Sequence, residues 1–230
     1  MQNRVELLGH YGGDETHALS AWTSTSRELT ESKKMRIPLL LKTLAKNGHE
    51  TPFEKSMIHF LCDTEIATHI QFLKHRIGVS INGESARYKE LKEDKFYVPN
   101  EWSNIQVSKK HLNDNYIGAQ AEVYSGDYTW AQALADYNTL GNMLYHMALE
   151  DLTPVLERKR AKETARFFKT YSSQTTIDIS FNWRSFVHFY NLRHSEHAQV
   201  EINDVADEML MQIKAIPGNP FKNSIEAFGI

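Results

Sequence analysis

Hydrophobic positions along this chain repeat with two periods, one typical of helices and the other of strands. The longest helical pattern runs from Asp127 to Glu150, where apolar side chains recur every three or four residues. Thr153 and Pro154 predict a second helix directly afterwards, because proline is favoured at the first helical position. The same periodicity predicts shorter helices over residues 17–26, 31–46, 64–74, 182–192 and 197–214.

A period of two is clearest over residues 174–181, where Thr176, Asp178 and Ser180 alternate with apolar neighbours. Shorter strands are predicted over residues 4–8, 56–62 and 95–99. The predicted elements indicate an α/β or α+β fold, with strands too scattered for a doubly wound series of βαβ units.

Two local features modify this picture. Pro38 predicts a kink or a split in the helix over residues 31–46, because proline removes a backbone donor. Glycine and asparagine predict irregular backbone over residues 77–88. Neither a GxGxxG motif nor a GxxxxGK[ST] motif is present, so the sequence shows neither a dinucleotide-binding fingerprint nor a phosphate-binding P-loop.

Composition places the chain among globular proteins that work inside the cell. Its 230 residues fit a single domain over residues 1–230, with 41% hydrophobic and 24% charged residues. The net charge of −3 does not favour long nucleic acids, although a local cluster of cations could still hold a small anion. With one cysteine, Cys62, and neither a spanning apolar run nor a signal core, we predict a cytoplasmic protein without membrane contact.

The most informative stretch, QFLKHRIGVSINGESARY, runs from Gln71 to Tyr88. Its three consecutive basic residues fit a solvated cap at a helix C-terminus, where the helix dipole favours cations. Ser85, Arg87 and the backbone N–H groups near Gly83 also supply donors that suit a phosphate. On these residues alone, a surface cap in a polar loop and a phosphate site both remain open.

This stretch resembles the signature segment of flavin-dependent thymidylate synthases, which is an Arg-His-Arg followed by a loop and Ser-x-Arg-Tyr. Three further patches resemble the same family in the expected order. They are GHETPFE (residues 48–54), AKETARFF (residues 161–168) and FNWRSFVHFYNLRHSEHAQVEI (residues 181–202). The four patches span most of residues 48–202, so the resemblance does not depend on one short motif.

The resemblance implies a fold with a central, mostly antiparallel sheet flanked by helices, and it assigns site residues by position. Arg193 corresponds to the arginine that holds and polarises the uracil ring of dUMP, and is the expected catalytic residue. The residues expected to bind dUMP are Gln71, Glu84, Ser85, Ala86, Arg87, Arg166 and Arg193. The residues expected to bind FAD are His49, Thr51, Lys74, His75, Arg76, Glu84, Asn182, Arg184 and His188.

The implied reaction is the reductive methylation of dUMP to dTMP. Methylene-tetrahydrofolate would supply the carbon, reduced FAD the electrons, and NADPH would reduce the flavin again. The family also implies a homotetramer with active sites at its subunit junctions. It uses no enzyme cysteine as nucleophile, which agrees with Cys62 lying in a strand-like, buried-looking segment.

The chain departs from the family pattern at three places. Lys74 replaces the leading arginine, Lys55 replaces a common histidine, and the loop from Arg76 to Ser85 is one residue longer. The longer loop leaves open whether Gly83 or Glu84 takes the family's acidic position, and Glu84 is chosen for its chemistry.

Several alternatives follow from these departures and from the residues themselves. The longer loop motivates transfer of another one-carbon unit, such as hydroxymethyl, to a pyrimidine nucleotide, and Lys74 motivates an inactive nucleotide-binding paralogue. A nucleic-acid-binding module is disfavoured by the net charge. His49 fits a surface residue as well as a site residue. A metal site is disfavoured, because the family segment already explains the histidines and acids that follow Arg193.

Overall fold

The computed structural model describes residues 2–230, and within them the chain forms eight α-helices and four β-strands. The strands are β1 (Arg4–Tyr11), β2 (Met57–Glu65), β3 (Val79–Gly83) and β4 (Gln174–Phe181). The helices are α1 (Asp14–Trp22), α2 (Glu31–Lys46), α3 (Ile66–Phe72), α4 (Asn115–Val123), α5 (Trp130–Ala165), α6 (Trp183–Arg193), α7 (Val200–Lys214) and α8 (Lys222–Phe228). Within residues 2–230, no helix combines the length and the apolar character needed to cross a membrane.

The strands form one sheet in the order β1-β2-β4-β3, with β1 antiparallel to β2 and β3 antiparallel to β4. Inward positions of β2 and β4 are buried and alternate with partly exposed ones, as a sheet with one covered face requires. The core contains side chains from β2 and β4 together with aromatic side chains of α6 and apolar ones of α7. The predicted mixed fold with a mostly antiparallel sheet and flanking helices is confirmed.

The described chain divides into two compact units. The sheet unit contains residues 3–63, 68–83 and 176–230, and the long-helix unit contains residue 2, residues 64–67 and residues 84–175. The sheet unit holds the main core, whereas the long-helix unit has small apolar clusters around Tyr145 and Tyr128. The single domain predicted over residues 1–230 stays a prediction.

The predicted helices exist, and α2 has the predicted bounds of residues 31–46, although the predicted start of the helix at Pro154 was wrong. α2 continues through Pro38, which lies on the exposed side, where water can satisfy the carbonyl that loses its partner. α5 likewise continues through Pro154, so no new helix begins there. The irregularity lies three residues later at Glu157, whose φ of 63° and ψ of 151° are not helical.

Two strand predictions were also wrong. Residues 95–99 form no strand and contribute only the isolated bridge between Phe96 and Ser173. Residues 77–88 were expected to be irregular, yet β3 lies within them, because pairing with β4 outweighs the low strand preference of asparagine and glycine. β2 extends to Glu65, so α3 begins later than predicted, and neither α4 nor α8 was predicted.

A buried polar network in the sheet unit connects α1 to α8. Ser224 Oγ donates to Asp14 Oδ1 at 2.6 Å, so it has only its lone pairs left for His17 Nδ1 at 2.9 Å. His17 Nδ1 therefore carries the ring proton, and Nε2 accepts from Ser56 Oγ at 2.8 Å. Burial lowers the pKa of His17 to about 3. His17 is thus a neutral, fully hydrogen-bonded histidine in the core.

This histidine makes the folded state sensitive to acid. Its folded pKa lies below the unfolded value of 6.5, so the unfolded chain binds the proton more readily as the pH falls. Its contribution to stability is complete above pH 6.5 and is lost progressively toward pH 3. We expect about 2 kcal/mol of the unfolding free energy to be lost by pH 5.

The measurement is urea unfolding of the wild type and of His17→Gln between pH 8 and pH 4. A glutamine can bond to both serines but does not titrate, so its stability curve should be flatter below pH 6.5. Parallel curves for the two proteins would contradict this assignment.

Candidate active site

The C-terminal ends of α3 and α6 bring three predicted site residues into direct contact in the sheet unit. Arg193 Nε donates to His75 Nε2 at 3.0 Å. Its Nη1 donates to Gln71 Oε1 at 3.1 Å and its Nη2 to the Gln71 backbone carbonyl at 3.2 Å. All three nitrogens of the guanidinium are therefore engaged, which fixes the plane of the Arg193 side chain.

His75 acts as an acceptor toward this arginine. Burial, together with the charges of Arg193 and His188, lowers the pKa of His75 to about 4. The imidazole is consequently neutral at pH 7, and because Nε2 accepts from Arg193, the ring proton lies on Nδ1. Its ring packs edge-on against Phe189 at a centroid distance of 5.0 Å, which holds its orientation.

Burial also lowers the pKa of the Arg193 guanidinium, which nevertheless stays charged at neutral pH. Its partners here are a neutral imidazole and an amide rather than a carboxylate, so no hydrogen-bonded counter-charge cancels it. A cation held in this way can stabilise negative charge that develops on a bound ligand.

A cavity of about 650 Å³ in the sheet unit contains three of the predicted FAD residues, Asn182, Arg184 and His188. Apolar walls come from Ile77, Val187 and Phe228. This volume and mixture of polar and apolar groups are typical of sites for small molecules and cofactors.

Two glutamates accept hydrogen bonds from the guanidinium of Arg184 at the edge of this cavity. Its Nε donates to Glu50 at 2.7 Å and its Nη1 to Glu54 at 2.6 Å. Two carboxylates against one guanidinium leave a net negative charge, which suits hydroxyl and amide groups of a ligand better than a phosphate. The assignment of Arg184 to FAD stays a prediction.

The start of β3 and the start of α6 are joined at Gly78 beside the same cavity. Asn182 N donates to the Gly78 carbonyl at 3.1 Å, and Ser185 Oγ donates to the Ile77 carbonyl at 2.7 Å. Asn182 also caps α6 by accepting from Ser185 N at 2.8 Å. Gly78 has a φ of +64°, and a Cβ there would overlap the side chains of Asn182 and Ser185. Only glycine fits this position without strain.

The other FAD residues predicted in the sheet unit are exposed. Lys74 and Arg76 flank the buried His75 in the segment after α3, and the Lys74 amide donates to the Gln71 carbonyl at 3.2 Å. His49 follows the end of α2, and Thr51 begins a short 3₁₀ turn. Their side chains are accessible to a ligand, and their FAD assignment stays a prediction.

The long-helix unit carries the other part of the predicted dUMP set. Ser85 begins a turn in which its carbonyl accepts from the amides of Tyr88 and Lys89, and Ala86 lies inside this turn. The exposed Arg87 Nε donates to Glu163 on α5 at 2.8 Å. Glu84 forms an ion pair of 2.6 Å with Lys89, and Arg166 is exposed just after α5. The four consecutive residues from Glu84 to Arg87 thus present one carboxylate, one hydroxyl and one cation in a short segment.

A side chain at position 83 would crowd the ring of His69, which would have to shift. A Cβ at Gly83 would lie 2.9 Å from His69 Cε1. Glu84, whose carboxylate is mostly buried beside Lys89, therefore remains the better candidate for the family's acidic position.

Cysteine and metal chemistry receive no support from the described residues. Cys62 is fully buried in β2, and burial raises the pKa of its thiol to about 12, so it is a poor nucleophile. Among residues 2–230, no three His, Cys, Asp or Glu side chains are grouped so that they could hold a metal ion.

Sequence reasoning missed two residues of the Arg193 surroundings. Gln199 Oε1 accepts from Gln71 Nε2 at 2.6 Å, and Gln199 Nε2 donates to Glu201 at 2.7 Å. The HAQ segment four to six residues after Arg193 was a visible signal, but an exposed glutamine has no property that distinguishes it from other surface residues.

Known structures with this fold include a UMP/dUMP methylase. The structure of PolB from Streptomyces cacaoi, solved with 5-Br dUMP, matches with a TM-score of 0.73 and 25% identity over 99% of this chain and 95% of that chain. The fold of this chain is thus similar to that of a nucleotide-methylating enzyme.

Sequence comparisons identify the family. The model for thymidylate synthase complementing protein matches residues 6–217. The flavin-dependent thymidylate synthase of Thermosipho africanus is 35% identical over 206 residues, which cover 88% of this chain and 82% of that protein. That of Pseudothermotoga lettingae is 29% identical over 212 residues, covering 92% and 85%. The chain belongs to the flavin-dependent thymidylate synthase family.

Proposed function

We propose that the protein methylates dUMP to dTMP, with methylene-tetrahydrofolate as carbon donor, FAD as electron carrier and NADPH as reductant. The observation that carries this proposal is the Arg193 cluster, in which a charged guanidinium is held by Gln71 and the neutral His75. Family membership and the dUMP-analogue complex of the solved methylase support the substrate class. The homotetramer and the cytoplasmic location belong to the same proposal.

In the proposed mechanism, Arg193 donates hydrogen bonds to the polar edge of the uracil ring. Carbon 5 of uracil is a weak nucleophile. A cation against a ring carbonyl, or against N3 as N3 loses its proton, stabilises the negative charge that develops there and so enriches C5 in electrons. His75 stays neutral at the working pH and keeps its acceptor nitrogen toward Arg193, so the guanidinium does not turn away between turnovers.

The flavin would be held in the sheet unit by the cavity that Asn182, Arg184 and His188 line, together with His75 and its neighbours Lys74 and Arg76. FAD, when bound, supplies and receives the electrons of the reductive step. The capping bonds of Asn182 and Ser185 keep this wall rigid, and Ile77 supplies an apolar surface suited to a flat ring.

The nucleotide phosphate is assigned to Ser85 and Arg87 in the long-helix unit, with Arg166 as a further cation. Arg87→Gln should weaken dUMP binding about 10- to 100-fold, because a charge-assisted contact to phosphate is lost. Binding of deoxyuridine, which has no phosphate, should not change. Isothermal titration with both ligands measures the difference.

Arg160→Gln is the matched control, because Arg160 also donates to Glu163, at 3.3 Å, and is exposed. It should leave dUMP binding unchanged. An equal loss in both variants would mean that the ion pair with Glu163, and not a phosphate contact, is responsible.

The first experiment on the proposal is the identification of the cofactor. The purified protein should absorb as a flavoprotein, release FAD on heat denaturation, and change its flavin spectrum when dUMP is added. A colourless protein that takes up no added FAD would refute the flavin-dependent reaction and leave nucleotide binding without turnover.

A second candidate is methylation of UMP. The solved neighbour from Streptomyces cacaoi is a UMP/dUMP methylase, and its structure covers 99% of this chain. Competition between dUMP and UMP in one assay separates the two, since a site that tolerates the ribose 2′-hydroxyl converts both. The alternative of hydroxymethyl transfer is separated by the mass of the product.

A further inference from the structure

A chain of four side chains runs from Arg193 to the first turn of α7 in the sheet unit. Arg193 Nη1 donates to Gln71 Oε1, and Gln71 Nε2 donates to Gln199 Oε1. Gln199 Nε2 then donates to Glu201 Oε2 at 2.7 Å. These hydrogen bonds therefore connect the proposed catalytic arginine to an acidic side chain that takes no part in the reaction described above.

The chemistry of the two ends fixes the direction of every bond. An arginine can only donate, and an ionised glutamate can only accept. Gln199 must point its amide nitrogen at Glu201, which leaves its oxygen for Gln71. Gln71 must in turn point its nitrogen at Gln199 and its oxygen at Arg193. Neither amide can turn over without placing two donors or two acceptors against each other.

The position of Gln199 supports a role other than holding the fold. It is the N-cap residue of α7, where Ser, Thr, Asp or Asn is preferred, and its side chain makes no capping bond. The side chain is exposed and reaches Gln71 instead. A residue kept for stability alone would serve α7 better as a short capping side chain.

We propose that Gln199 and Glu201 are positioning residues that orient the Gln71 amide and, through it, Arg193 for nucleotide binding. The proposal deepens the proposed function and rests on it. Without Glu201 or Gln199, only Arg193 itself still favours the present orientation of the Gln71 amide, which then presents its nitrogen to Arg193 for part of the time. Two donors then face each other, and Arg193 loses one of the bonds that hold its plane.

The decisive variant is Gln199→Ser, which improves the cap of α7 but is too short to reach Gln71. We expect the dissociation constant and the KM for dUMP to rise about fivefold to tenfold, the effect of one lost hydrogen bond. The melting temperature should stay equal or rise, and the FAD content should not change. A residue with only a structural role would give the opposite result, lower stability with unchanged dUMP binding.

A double-mutant cycle with Glu201→Met tests whether the residues act in series. Once Gln199 is shortened, the loss of Glu201 should add nothing, so the double variant should bind dUMP as well as Gln199→Ser. Glu196→Met is the control for charge, because it removes an exposed acid from the preceding segment outside the chain of bonds. It should bind dUMP like the wild type.

The outcomes distinguish the positioning role of Gln199 and Glu201 from the proposed dUMP methylation on which it rests. A wild type that binds no dUMP overturns the proposed function, and the positioning role fails with it. A wild type that binds dUMP while Gln199→Ser binds equally well overturns the positioning role alone. If the loss of dUMP affinity in the double variant equals the product of the two single losses, the positioning role is also overturned, because the two residues would then act independently.

Discussion

Arg193→Lys should lower kcat/KM for dUMP methylation about 100- to 1,000-fold while the bound flavin and the melting temperature stay near those of the wild type. The guanidinium reaches His75 and two oxygens of Gln71 from three separate nitrogens. An ammonium group carries the same charge on one nitrogen and cannot meet these partners and a uracil edge together. Steady-state assays at saturating folate and NADPH measure the effect.

Arg158→Lys is the matched control for this substitution. Arg158 is exposed and forms an ion pair of 2.6 Å with Glu90 in the long-helix unit, so the change is chemically the same but lies outside the site. Its kcat/KM should equal that of the wild type. Wild-type activity in Arg193→Lys would show that charge alone suffices, and that the held geometry has no part in catalysis.

Gly78→Ala should cost about 3 kcal/mol of unfolding free energy and lower the melting temperature by roughly 6–12 °C. About 1 kcal/mol comes from the left-handed backbone, where a Cβ is strained. The rest comes from the overlap of the new methyl group with Asn182 and Ser185, which must move apart. Because these two side chains form a wall of the proposed flavin cavity, the purified variant should also hold less FAD.

Gly48→Ala separates the two causes. Gly48 has a nearly equal φ of +68°, but a Cβ there meets no atom within 4 Å. It should therefore lose only the backbone part, about 1 kcal/mol, with full flavin content. Equal losses in the two variants would mean that the contacts of Gly78 with α6 contribute nothing.

The periodicity of hydrophobic residues was enough to predict the helices and strands that depend mainly on local sequence. The helical period before Glu150 and the alternation over residues 174–181 located α5 and β4. β3 was missed because its glycine and asparagine favour turns, and the strand forms only through its pairing with β4. The bend at Glu157, rather than at Pro154, likewise depends on surroundings that a sequence pattern does not contain.

Part of the candidate site could likewise be predicted from the sequence, and part could not. Motif resemblance indicated Gln71 and His75 together with Arg193, which is far from both in sequence, and the structure places Arg193 within hydrogen-bonding distance of each. The neutral state of His75 could not be predicted, because it results from burial and from neighbouring cations. Gln199 was missed because its role arises from the side chain it reaches.

Lys74 leaves the Arg193 cluster intact, because the cluster uses only its backbone, and the effect of this lysine on flavin binding stays a prediction. The Lys74 amide donates to the same Gln71 carbonyl that accepts from Arg193, and its side chain is exposed. The inactive-paralogue alternative rested on this lysine. The arginine cluster on which the proposed chemistry depends is complete without an arginine at position 74.

The most direct test of dUMP methylation is the mass of the product formed by the purified protein with dUMP, methylene-tetrahydrofolate and NADPH. We expect dTMP, formed only when all three substrates are present and absent with Arg193→Ala. A hydroxymethylated nucleotide, or unchanged dUMP with a protein that holds FAD and binds the nucleotide, would contradict it.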